Sequence, residues 1–116
     1  MSKEIGEFSL KATSWTVGDE AISANFEGTA TGFGDVVGTL SARGEPGAEF
    51  GTCSWRSASF LDDGGEIQAA GEGTWQKIGK HRWQMRFTHA ISDGRTVLAD
   101  GVVDMPSRSF NGKLFD

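Results

Sequence analysis

Seven short clusters of turn-forming residues cut this chain into eight stretches of strand length. The clusters are Val17-Gly18-Asp19, Gly32-Phe33-Gly34, Gly44-Glu45-Pro46-Gly47, Asp62-Asp63-Gly64-Gly65, Ile78-Gly79-Lys80, Ser92-Asp93-Gly94 and Pro106-Ser107. Gly supplies positive φ at such points, Asp and Ser hydrogen-bond to their own backbone, and Pro presets φ. Asp93-Gly94 is the strongest hairpin signal of the set. Both prolines fall in these breaks, where a missing N–H removes nothing from a ladder. The stretches between them are Glu7 to Thr16, Ala21 to Thr31, Val36 to Arg43, Phe50 to Leu61, Ile67 to Gln76, His81 to Ile91, Thr96 to Met105 and Phe110 to Phe115. None carries apolar residues at i, i+3, i+4 and i+7 over a useful length, so no helix longer than about one turn is expected.

Period-two alternation supports strands instead. Trp83, Met85, Phe87, His89 and Ile91 share one face of the sixth stretch, against Arg82, Gln84, Arg86 and Thr88. Val97, Ala99, Gly101, Val103 and Met105 oppose Thr96, Asp100 and Asp104 in the seventh, with Leu98 and Val102 as exceptions. Cys53 and Trp55 oppose Thr52, Ser54 and Arg56. Ile67, Ala69, Gly71, Gly73 and Trp75 oppose Gln68, Glu72, Thr74 and Gln76. One apolar and one polar face is the pattern of antiparallel sheets with one wet side. Gly accounts for 17 of 116 residues, about double the usual share, and seven of these lie inside the stretches, as bulges and barrel corners require. Four Trp and eight Phe supply material for a core, which disordered Gly-rich chains lack. The expected fold is all-β: one domain over residues 1–116, an antiparallel meander of about eight strands closing into an up-and-down barrel. A two-sheet sandwich of the same strands is the alternative.

The charge balance narrows the partners. Eleven basic residues are outnumbered by 16 acidic ones, giving a net charge of −5. Nucleic acid is therefore not an expected partner, because phosphate binding draws on clustered Lys and Arg. No apolar run approaches membrane-spanning length, and no signal peptide follows Met1-Ser2-Lys3-Glu4. A single cysteine, Cys53, excludes an internal disulfide framework and suits a reducing compartment. The expectation is a cytoplasmic protein without a membrane partner.

Hairpin pairing then brings candidate residues together. Centring the fifth-to-sixth turn after Gln76 sets Trp75 opposite Trp83, Gly73 opposite Met85 and Ala69 opposite His89, with Glu72 facing Arg86 on the other surface. Folding the fourth stretch onto the fifth about Gly64 sets Arg56 beside Glu72, and Asp100 falls near the level of Arg86. Two constellations emerge. Trp55, Trp75, Trp83, Met85, Phe87 and His89, with Cys53, form an aromatic face beside small residues. That face is either a filled core or the wall of a pocket with one imidazole for orientation or proton transfer. The stripe Arg56, Glu72, Arg86 and Asp100 reads as an outer-surface ladder of alternating charge. Turned inward, it would be a candidate for acid–base chemistry.

Other chemistry finds little support. His81, His89 and Cys53 lack the spacing of a metal site, so no metal is expected. Cys53 as a nucleophile would need His89 as its base, and nothing local supports that pairing. Asp62-Asp63-Gly64-Gly65 lacks the ligand spacing of a calcium loop. There is no phosphate loop, no GxSxG elbow and no dinucleotide fingerprint, and no cofactor is implied.

In strand number and meander the chain resembles the small β-barrels of the calycin and allene-oxide-cyclase-like groups. The resemblance spans the whole chain at the level of architecture. Thr13-Ser14 precede Trp15, where lipocalins carry Gly-x-Trp, and no cyclase catalytic residue is matched position by position. What the resemblance implies is a barrel that often holds an apolar ligand. Three functions remain open: a barrel binding a small apolar or aromatic molecule, a cofactor-free cyclase or isomerase using His89 or the charged stripe, and a filled barrel acting as a homo-oligomer or partner-binding module.

Overall fold

Alternating sidedness and the glycine-rich breaks are realised as a closed sheet. The computed structural model describes residues 3–116. Its strands are β1 (Glu4–Val17), β2 (Ala21–Ala30), β3 (Gly34–Arg43), β4 (Phe50–Phe60), β5 (Glu66–Gly79), β6 (Arg82–Ile91), β7 (Thr96–Asp104) and β8 (Ser109–Phe115). Each pairs antiparallel with its chain neighbours, and β8 returns to β1, closing the barrel in the order β1 to β8. Backbone bonds between Lys3 and Asp116, at 3.4 and 3.0 Å, extend that seam. The barrel, not the sandwich, is the architecture, and closure leaves no long unpaired edge.

Two registers differ from those the turns suggest. The β5–β6 connection is centred on Lys80-His81, with His81 at φ 57° and a bulge between Lys77 and Gly79. Trp75 accordingly pairs with Met85 rather than Trp83, Gly73 with Phe87 rather than Met85, and Gly71, not Ala69, with His89. Glu72 pairs with Thr88 instead of Arg86. On the other side of β5, Arg56 pairs with Ala70, and Glu72 with Ser54. Both corrections are slips by an even number of residues, so every side chain keeps its expected face. The Arg86–Asp100 pairing stands as expected.

The inward faces meet at the waist of the barrel. Phe110, 1% exposed, lies edge-on to Phe8 with centroids 4.9 Å apart, and within 6.3 Å of Phe26, Trp55 and Phe87. Trp55 stacks on Phe87 at 5.8 Å. The Trp55 ring crosses β3 at Gly38, where any Cβ would overlap it. That glycine is a packing requirement: only a bare backbone lets the indole lie flat against the barrel wall. One end of the barrel is closed by Phe33, which folds in from the β2–β3 turn, with the Arg95 guanidinium 5.0 Å from its ring centroid. The other end, framed by the β1–β2, β3–β4, β5–β6 and β7–β8 connections, is open.

This packing sets a stability expectation. Trp55 is 5% exposed, so Trp55→Ala should cost about 3–5 kcal/mol. Urea unfolding monitored by circular dichroism measures it, and a loss near zero would mean the waist is not close-packed.

Candidate functional site

The waist separates two spaces of unequal size. Below it, a small pocket of about 40 Å³ lies among Ser57, Ser59, Gln68, Phe87, His89 and neighbouring apolar groups. That volume suits a few water molecules and no larger guest. Above it, a cleft of about 400 Å³ opens at the uncovered end, within the range of small-molecule sites.

The cleft is a cup whose walls come from strand ends. Trp75 ends the inward row of β5, Trp83 begins that of β6, and Met85 and Phe26 lie deeper beside Ala24 and Leu40. Trp15 completes the aromatic wall from β1. Its orientation depends on the irregularity between Ala12 and Ser14, where β1 gains a residue against β2. Before it the even-numbered Phe8 and Leu10 are buried inside. After it Trp15 pairs with inward-facing Ala24 and lines the cup. A one-residue bulge reverses the sidedness of the strand beyond it. Trp75 is fixed by its Nε1–H, which donates to the Arg43 carbonyl at 2.8 Å. Its ring lies over Gly44 and Gly51, where a Cβ would come within 2.8 and 2.6 Å of indole atoms. The loop of residues 44–48 forms the facing rim, with Asp19, Glu20 and Arg43 beside it.

The structure therefore divides the aromatic constellation. Trp75, Trp83 and Met85 line the cup, whereas Trp55, Phe87 and His89 border only the small inner pocket. Trp15, Met105 and the rim loop belong to the cup and were not part of the expected site. No strict alternation could have revealed Trp15, because its placement depends on the bulge.

The charged stripe lies on the outer wall. Arg56, Glu72 and Arg86 are exposed and Asp100 is half-buried there. Arg86 Nε donates to Asp100 Oδ2 at 3.2 Å, and Gln84 donates to the other oxygen at 2.9 Å. Exposed pairs of this kind contribute under about 1 kcal/mol. Arg56 and Glu72 form no ion pair with each other or with the other two among the described residues. The four do not act as one network.

His89 and Cys53 are the buried titratable groups. The His89 imidazole is 6% exposed, lies edge-on to Phe87 at 5.4 Å, and its Nδ1 has no hydrogen-bond partner. Burial lowers its pKa below the ordinary 6.5, with the Val97 backbone pulling the other way. Burial likewise pushes the Cys53 thiol up to about 11, partly offset by the Gly73 backbone. A neutral thiol of that kind is a poor nucleophile. Among the described residues no group of three or more His, Cys, Asp or Glu is placed to hold a metal ion.

No protein-family model matches the chain, and no curated protein or solved structure shows significant similarity to it.

His89 gives a pH expectation. Below pH 6.5 the unfolded chain takes up a proton at this position that the folded barrel resists. Its contribution is therefore complete above the unfolded pKa and is lost as pH falls toward the depressed folded value, with a slope of at most about 1.4 kcal/mol per pH unit. His89→Asn should flatten the fall in unfolding free energy between about pH 7.5 and about pH 5.5. Parallel curves for the two proteins would show that His89 takes up its proton equally well in both states.

Proposed function

We propose that this barrel binds a small apolar or aromatic molecule, and that the binding site is the cup at its open end rather than the barrel centre. The observation that carries this reading is a solvent-open cleft of about 400 Å³ walled by Trp15, Trp75 and Trp83, in a molecule whose interior is otherwise filled. Aromatic walls supply large contact area with few rotamers to freeze. The indole of Trp75 is held in place before any ligand arrives, which reduces the ordering cost of binding. Calycin-like barrels share this architecture of a closed antiparallel meander with one open mouth, and the reading agrees with their general use. The single buried thiol is consistent with a reducing compartment such as the cytoplasm.

The enzyme reading has less to draw on. The charged stripe meets water, and the space beside His89 is too small for an organic substrate.

Binding is measured by titrating aromatic and aliphatic molecules against tryptophan emission, with calorimetry for the hits. At least one should bind, and Trp83→Ala should weaken it by about tenfold or more, the scale of truncating an aromatic anchor. A panel that leaves emission unchanged, or a variant that binds as well as the wild type, would remove the cup as the site.

A second reading draws on the rim. Val17, Ile22 and Phe50 are 78%, 50% and 74% exposed at the same end of the barrel. Val17 and Ile22 on the lip, with Phe50 on the outer face beside it, suit a second copy or partner packing against this end. Sedimentation across a concentration series should then show a dimer that Phe50→Asp disrupts. A monomer throughout would leave self-association without support.

A further inference from the structure

We infer that the cup selects organic cations, that is, ligands joining an aromatic or apolar body to an ammonium group. This inference rests on the binding reading above and adds the charge of the ligand.

The wall and the rim point the same way. Indole is the strongest side-chain partner for a cation held over its face, and three indoles line one cleft. Trp75 has spent its only N–H on the Arg43 carbonyl, so what remains for a ligand is its π face, which carries negative charge density. Above the tryptophans the ionised groups of the lining are Asp19, Glu20 and Glu45, against a single base, Arg43. That base stands beside a carboxylate of its own, with its Nη1 3.7 Å from Glu20 Oε2. Asp19 and Glu45 have no ion-pair partner among the described residues. The lining therefore carries three carboxylates against one guanidinium, an excess of two negative groups at its entrance. A chain of net charge −5 adds a field of the same sign. A neutral ligand would gain only the apolar contacts. An ammonium gains those, the indole faces and the rim, and its methyl groups suit the polarizable thioethers of Met85 and Met105.

Three ligands on one naphthylmethyl body test this, ending in trimethylammonium, tert-butyl or sulfonate. Affinities are read from tryptophan quenching and calorimetry at low ionic strength. The ammonium ligand should bind tightest, by about tenfold over the sulfonate, with the tert-butyl ligand between them. The double variant Asp19→Asn, Glu45→Gln changes two exposed residues and should remove most of that preference. In the wild type, raising salt from about 20 mM to about 300 mM should narrow it too, because screening weakens exposed charges. That second measurement holds even if the double variant fails to fold. Equal or tighter binding of the tert-butyl or sulfonate ligand would overturn cation selection while leaving the cup an apolar site. If none of the three perturbs the tryptophans, both the selection and the site fall.

Discussion

Four aromatic rings converge on Phe110, and the rest of the molecule depends on the way they fill the barrel's waist. An eight-stranded barrel has an interior just wide enough for side chains to occupy. Phe8, Phe26, Trp55 and Phe87 occupy it from four different strands. Glycine on the facing strands makes this fit possible. Gly38 clears the way for Trp55, and a Cβ at Gly101 would come within 2.6 Å of the Phe8 ring. Close packing here costs the barrel any large central cavity. It also fixes a floor against which an end pocket can be built.

The two ends use that floor differently. At one, Phe33 and Arg95 form a lid, leaving room for little besides water beneath His89. At the other, the inward rows continue past the waist with large side chains, and the space between them is a cleft of about 400 Å³. Trp75 and Trp83 sit near the ends of β5 and β6, partly buried against the core and lining the cleft. The concave shape thus arises from aromatic residues standing at strand ends, with the β1–β2 and β3–β4 connections completing its lining.

Most of this fold was legible from residue order, because its determinants are local. Turn residues mark the breaks, and period-two alternation marks the faces, so eight strands and their sidedness emerged together. Register was less legible. The β5–β6 turn depends on His81 adopting positive φ, a role usually given to Gly or Asn, while the nearby Gly79 drew the expected turn toward itself. The outcome was a slip that preserved the faces, which is why Trp75, Trp83 and Met85 still meet. Trp15 escaped because a bulge leaves no mark in hydrophobic order when the extra residue is an ordinary Thr13. Nor does alternation say how deep a residue sits along the axis. Trp55 and Trp83 belong to the same inward face, yet one is core and the other is wall.

Cys53 turns the closed sheet into something that can be timed. It is the chain's lone thiol, shut inside the barrel wall and held in its unreactive protonated form. An alkylating reagent in native buffer reaches it only when the packing around it opens. Its labelling rate, divided by that of the unfolded chain, is therefore an opening equilibrium constant for this part of the wall. The molecule carries its own clock for breathing motions, with no engineered reporter and no denaturant needed.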